Sequence, residues 1–177
     1  MLRKRVANIN FKIRVKDETI NSDNPYRWDV LTSSDIFEEK KILLFSLPGA
    51  FTPTCSTFQL PNFEKLYLEF KEKLNINDIY CISVNDAFVM NAWAKNKEIK
   101  NIKMIPDGNG DFTRLMGMLV KKNNLGFGFR SWRYACVVQN WEIINWYEEP
   151  GIDDNCDDDP YSVTNPKYIL NDLLNAN

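Results

Sequence analysis

Three short runs dominated by apolar residues constrain what this chain can become: Ile42 to Leu47, Ile79 to Val84 and Ile102 to Ile105. Runs of this length and composition suit the middle of a sheet that is covered on both faces. Helical patterns separate them. After the first, Phe63, Leu66, Tyr67, Phe70 and Leu74 follow spacings of 3, 1, 3 and 4, which is one face of a helix. Pro61 is expected to kink or restart that helix. After the second run, Asn85-Asp86 opens a helix with Phe88, Val89, Ala92 and Trp93 on one side. Pro106-Asp107-Gly108 stops the third run, and Phe112, Leu115, Met116 and Leu119 then predict a further short helix.

The flanks complete the pattern. Residues 6–15 alternate through Phe11, Ile13 and Val15 and predict a strand. Trp28 and Val30 predict another, followed by a short helix capped in Thr32-Ser33-Ser34-Asp35 and ending near Lys40-Lys41. Gly126 and Gly128 mark a tight or mobile connection. Tyr134 to Val138 and Glu142 to Tyr147 flank Asn140-Trp141 as a hairpin, and a helix from about Pro166 to Leu174 closes the chain. Alternating strands and helices followed by a hairpin and a helix predict an α/β fold with a central mixed sheet flanked by helices. A length of 177 residues fits a single domain over 1–177.

The join between the first run and its helix carries the chemistry. It reads Ser46-Leu47-Pro48-Gly49-Ala50-Phe51-Thr52-Pro53-Thr54-Cys55-Ser56. Cys55 falls in the first turn of a helix, where unpaired N–H groups and the positive end of the helix dipole favour a thiolate. Pro48 and Pro53 stiffen the turn, Gly49 lets backbone approach a ligand closely, and Thr52 offers a hydroxyl three residues before the sulfur. A cysteine between a central strand and the next helix is the position used by thioredoxin-like folds, here without the second cysteine of CxxC.

Composition narrows the chemistry further. The chain has no histidine, which removes Cys-His and Ser-His-Asp hydrolases, haem ligation by His and every His general base. Cationic side chains, dipoles and hydrogen bonds must therefore activate the thiol. The four cysteines, Cys55, Cys81, Cys136 and Cys156, are widely spaced with no CxxC, which argues against zinc or another metal. Cys81 and Cys136 lie in strand patterns and read as core residues. Cys156 lies between Asp153-Asp154 and Asp157-Asp158-Asp159, whose charge should weaken it as a nucleophile. That acidic stretch lacks calcium-loop spacing and reads as a solvated loop. Arg130 and Arg133 stand just before the Tyr134 strand. A net charge of −2 without a basic stripe gives no reason to expect nucleic acid, and no apolar run approaches membrane-spanning length. Asn8 and Asn10 interrupt the basic start, Met1 to Arg5, so no secretory signal is read. The expected location is cytoplasmic, or organellar if a targeting peptide has been removed.

The segment Pro-Gly-Ala-Phe-Thr-Pro-Thr-Cys-Ser resembles the active-site signature of peroxiredoxins, in the version seen in their type-5 (type II) group. The likeness continues through Ser83 to Val89, Trp93, Pro106 to Gly110, Gly117-Met118-Leu119, Arg130 to Tyr134 and Asp159-Pro160-Tyr161. The last of these resembles bacterial members, including those fused to a glutaredoxin domain. The resemblance implies a thioredoxin-like fold and reduction of hydrogen peroxide and alkyl hydroperoxides by a cysteine, with no cofactor or metal. It assigns Cys55 as the peroxidatic nucleophile and Thr52 as a hydrogen-bonding partner of peroxide and sulfur. Pro48 becomes the shield of the sulfur and Arg133 the catalytic arginine. Gly49, Gln59 and Arg130 are supporting positions. Gln59 stands where many relatives carry His. The resolving cysteine of one animal subgroup aligns roughly with Ser162, so Cys156 is a weak resolving candidate. A one-cysteine cycle is favoured, with glutaredoxin/glutathione or thioredoxin supplied in trans, in a homodimer. The alternative is a redox sensor, relay or holdase-like binding protein that uses the same Cys55 with little turnover. Generic thiol–disulfide exchange is a weaker third reading, since residues 55–58 offer no second thiol.

Overall fold

The computed structural model describes residues 4–176. Met1 to Arg3, part of the basic start read above, lie outside the described residues. The central sheet is built from β3 (Lys41–Ser46), β4 (Asp78–Ser83), β5 (Lys103–Pro106), β8 (Tyr134–Gln139) and β9 (Glu142–Glu148). Their spatial order is β5-β4-β3-β8-β9. β3 pairs parallel with β4, and β4 with β5, whereas β8 runs antiparallel to both β3 and β9. The sheet is mixed, as its alternation of strands and helices predicts, and it has the thioredoxin-like arrangement expected from the position of Cys55. Two smaller antiparallel pairs flank it. One joins β1 (Asn10–Lys16) to β2 (Tyr26–Thr32), and the other joins β6 (Leu119–Lys121) to β7 (Phe129–Ser131).

Period-two alternation along β3 divides the core. Leu43 and Phe45 face a cluster with Phe63, Tyr67 and Phe70 of α2 (Leu60–Leu74), Met90 and Trp93 of α3 (Ala87–Asn96), and Ile169 of α5 (Pro166–Asn175). Ile42 and Leu44 face a second cluster with Ile36 and Phe37 of α1 (Ser33–Phe37), Phe112 of α4 (Asp111–Leu115) and Trp132. Phe45 and Phe63 stack with ring centroids 4.0 Å apart, fixing α2 against the strand that leads into it. Thr32 and Asp35 form a complete capping box on α1. The turn of the β8–β9 hairpin takes positive φ at both Asn140 and Trp141, matching the twist of its strands.

Three details depart from the sequence reading. The buried face of α3 is Ala87, Met90 and Trp93, while Phe88 is 54 % exposed and meets Trp28 edge-on. The α4 helix stops at Leu115 because Gly117 takes φ +67°, and Leu119 starts a strand instead. α1 ends at Phe37 rather than near Lys40-Lys41. Among the described residues, no helix is long and apolar enough to cross a membrane.

Candidate active site

Antiparallel register brings the two halves of the site together. Ser46 at the end of β3 lies opposite Tyr134 at the start of β8. The residues leaving β3 and those entering β8 are therefore neighbours, although 78 positions separate Cys55 from Arg133. A hydrogen bond of 2.8 Å between Ser46 Oγ and Ser131 Oγ locks the junction.

The turn after β3 is held from several sides. Asn85 Oδ1 accepts from the Ala50 amide at 3.0 Å and from Ser83 Oγ at 2.6 Å. Phe51 adopts φ +63°, a left-handed conformation that costs a bulky residue about 1–2 kcal/mol. Cys55 opens a π-helical turn, Cys55–Gln59, in which the Leu60 amide reaches back to the Cys55 carbonyl. Pro61 then restarts the chain as α2 near its first turn, as its missing N–H predicts. Trp93 Nε1 donates to Ser56 Oγ at 2.9 Å, tying α3 to the residue after the cysteine.

Cys55 is fully buried. Its sulfur accepts from Arg133 Nη1 at 3.4 Å. Arg133 is itself 1 % exposed, and each edge of its guanidinium is engaged. Nη1 also donates to Gln59 Oε1, Nη2 pairs with Asp159, and Nε donates to the Pro160 carbonyl at 3.0 Å. The guanidinium carbon lies 5.6 Å from the centre of the Tyr161 ring. Burial works against the charge of Arg133, but the Cys55 and Asp159 charges outweigh it and hold its pKa above the ordinary arginine value. A planar cation gripped at four points can present one N–H to a sulfur without rearranging.

The remaining expected residues take the following places. Thr52 is half-buried and donates its hydroxyl proton to the Gly49 carbonyl at 2.7 Å. Its oxygen lone pairs therefore remain to accept. Pro48 is buried, and its carbonyl accepts from Arg130 Nη1 at 3.3 Å. A Cβ on Gly49 would lie 2.3 Å from Arg130 Nη1, so the approach that Gly49 permits is that of an arginine. Gln59 is fully buried, with Nε2 unpartnered among the described residues.

Cys81 and Cys136 are fully buried in β4 and β8. Burial, followed by the nearby Cys55 charge, pushes the Cys81 thiol well above its usual pKa, which keeps it protonated and inert. Cys156 is half-buried and packs against the core cluster on the opposite sheet face from that of Cys55. Its carbonyl accepts from Lys122 Nζ at 3.0 Å.

The acidic stretch is not simply a solvated loop, as its composition suggests. Asp154 accepts from the Lys121 amide, Asp157 from Asn124, and Asp159 pairs with Arg133. Sequence reasoning placed Asp159, Pro160 and Tyr161 in a motif without seeing that all three grip one arginine. The run of aspartates hid the one that matters. The segment is anchored by buried Glu149, which accepts from the amides and hydroxyls of both Ser162 and Thr164 at 2.7–2.9 Å. Burial raises the Glu149 pKa, and these donors more than reverse that, leaving it below the usual carboxylate value. Such a depressed group contributes stability above its unfolded pKa of about 4.3, and that contribution fades as acid titrates the folded carboxylate. Glu149→Ala strands four donors and is expected to cost roughly 2–4 kcal/mol at neutral pH, seen as a lower midpoint in thermal unfolding. A midpoint within a degree of the parent protein would show that the anchor is dispensable.

Comparison with known proteins agrees with this geometry. The Redoxin family model matches residues 29–162. A peroxiredoxin of Rhizobium etli is 61% identical over 169 residues, covering 96% of this chain and 94% of that protein. The hybrid peroxiredoxin hyPrx5 of Haemophilus influenzae is 44% identical over 94% of this chain and 64% of its own length. Among solved structures, a Plasmodium falciparum antioxidant protein named as a 1-Cys peroxiredoxin matches with a TM-score of 0.89 and 38% identity, covering 98% of each chain. With a buried thiol set against a buried arginine on the fold these proteins share, the chain belongs to the peroxiredoxin family of thiol peroxidases, in its type-5 group.

Proposed function

We propose that the chain reduces hydrogen peroxide and alkyl hydroperoxides by a one-cysteine cycle, with Cys55 as nucleophile and an external thiol as reductant. The observation that carries this reading is the Arg133 Nη1 contact to Cys55 Sγ at 3.4 Å in a site closed to solvent. The Cys55 thiolate attacks one peroxide oxygen. An S–O bond forms, the O–O bond breaks, and the departing alkoxide or hydroxide takes a proton to leave as alcohol or water. Thr52, with its proton committed to Gly49, accepts the hydrogen bond of the incoming hydroperoxide. Arg133 meets the negative charge as it moves from sulfur to the leaving oxygen. Pro48 and the Gly49 turn exclude water from the sulfur.

Regeneration follows from the surroundings. The buried Cys55 must move outward to meet a thiol in trans. The π-turn at Cys55–Gln59, next to the missing N–H of Pro61, is the segment that unwinds to let it out. Cys156 belongs to the other sheet face, which supports the one-cysteine form, as does the likeness to a protein named as a 1-Cys peroxiredoxin. Glutaredoxin with glutathione, or thioredoxin, is the proposed reductant, the cytoplasm the proposed compartment, and a homodimer the proposed assembly. The exposed apolar patch of Trp28, Val30 and Phe88 supports the last.

The test is intact-mass analysis under non-reducing conditions after one equivalent of peroxide. The expected product is a sulfenic acid on Cys55, trapped as a mixed disulfide when glutathione is added. A Cys55–Cys156 disulfide formed instead would overturn the one-cysteine cycle, and an unmodified Cys55 would overturn the peroxidase assignment.

A further inference from the structure

We infer that Arg130 is a docking point for the carboxylate of the small thiol that reduces oxidised Cys55. The inference rests on the one-cysteine reading above and specifies the charge of its reductant. Arg130, on β7, is half-buried. Among the described residues its guanidinium donates to two neutral carbonyls, Pro48 at 3.3 Å and Phe127 at 3.2 Å, and lies 5.2 Å from the centre of the Phe127 ring. Among the described residues it has no carboxylate partner, in contrast to Arg133 with Asp159. Gly49 leaves room for it, since a Cβ there would lie 2.3 Å from Arg130 Nη1.

From β7 the Arg130 guanidinium reaches the turn that carries Cys55, donating to the Pro48 carbonyl and packing on Gly49. Burial lowers the Arg130 pKa, and the Cys55 charge works against that shift. In the reduced site two guanidiniums face two anions, the thiolate and Asp159. Oxidation to a neutral sulfenic acid removes one anion, leaving two cations beside one carboxylate. Arg133 keeps Asp159, so the unbalanced cation is Arg130. An incoming thiol that carries a carboxylate restores the balance; one that carries an ammonium worsens it. The preference therefore belongs to the reductive half of the cycle, not to capture of the peroxide.

In the reductive step the incoming thiolate attacks the Cys55 sulfur. An S–S bond forms, the S–O bond breaks, and the departing hydroxide takes a proton to leave as water. A second molecule of the same thiol then cleaves the mixed disulfide and frees Cys55.

The experiment forms the sulfenic acid with one equivalent of peroxide and follows its loss by stopped flow. Three small thiols are compared per thiolate: 3-mercaptopropionate, 2-mercaptoethanol and cysteamine. At low salt the carboxylate thiol should react about tenfold faster than the neutral one, and the ammonium thiol more slowly still. The carboxylate-to-neutral ratio should shrink as salt is added. In Arg130→Gln the ratio should fall to about one, with any loss common to all thiols cancelling, whereas Arg130→Lys should keep part of it. Equal rates for the three thiols in the parent protein, or an unchanged ratio in a folded Arg130→Gln, would overturn the inference while leaving the peroxidase reading intact. The salt series on the parent protein decides the matter if the variants do not fold. A chain whose Cys55 never forms the sulfenic acid would fail the peroxidase reading first, and this inference with it.

Discussion

Cys55→Ser is expected to bring peroxide turnover down to the protein-free rate, a loss of more than about 10⁴-fold. The substitution changes little else. Serine is close to cysteine in size, and Arg133 Nη1, now 3.4 Å from the sulfur, remains placed to donate to a hydroxyl oxygen. The fold should therefore hold, with thermal unfolding near that of the parent. Function fails because an alcohol is not ionised at neutral pH and the chain contains no histidine to take its proton. Nor can another cysteine substitute. Cys81 and Cys136 are fully buried in the sheet, and Cys156 packs against the other sheet face. The measurement is peroxide consumption with a saturating thiol reductant, alongside an unfolding curve. Appreciable turnover in a folded Cys55→Ser protein would move the nucleophile elsewhere and dissolve the assignment.

The parts of the fold legible in the sequence are those where a single physical preference operates. The apolar stretch Ile42 to Leu47 suits a covered strand, and Pro61, expected to kink or restart a helix, restarts it. The capping box at Thr32 and Asp35 depends on four consecutive residues. Where two patterns fit equally well, the sequence misleads. In α3, Phe88, Val89, Ala92 and Trp93 make a plausible apolar side, yet the core takes Ala87, Met90 and Trp93. A small alanine and a flexible methionine carry little signal beside an aromatic. That aromatic goes instead to the surface against Trp28 and Arg14. Residues 112, 115, 116 and 119 have helical spacing, but one glycine at φ +67° outweighs periodicity and turns the chain into a strand.

From the chemistry of the residues alone the candidate site was legible on one side only; Arg133 came from the family resemblance. Cys55, Thr52, Pro48 and Gly49 lie within eight residues, and their chemistry is local. Arg133 depends on the register between β3 and β8, which the apolar runs alone do not specify. Asp159, Pro160 and Tyr161 depend on a loop that crosses from β9 to α5, whose path no periodicity encodes. Gly49 shows a different failure. Its lack of a side chain reads correctly as room for a close approach, but the approaching group is Arg130 rather than a substrate. A close packing requirement names its position in the sequence and not its partner.

The position reached by that long-range path is where the second large effect is expected. Arg133→Ala should slow peroxide attack on Cys55 by roughly 10²–10³-fold, the usual cost of removing a preorganised donor to developing charge. The loss has three sources: the N–H at the sulfur, the positive charge beside the thiolate, and the tie that Gln59, Asp159 and Pro160 share. Arg133→Lys separates them. A lysine ammonium keeps the charge, but it is a single point on a flexible stem and cannot serve Cys55, Gln59, Asp159 and Pro160 together. If charge dominates, Lys should recover most of the lost rate; if the fork dominates, it should lie nearer Ala. Four fixed partners favour the second outcome. Asp159 is half-exposed, so its loss of a partner is answered by water, and both variants should fold. Stopped-flow measurement of the first oxidation, with Cys55 alkylation followed against pH in parallel, distinguishes a slower attack from a smaller thiolate fraction. An Arg133→Ala protein that oxidises at the parent rate would leave the arginine a purely structural brace, however closely it sits to the sulfur.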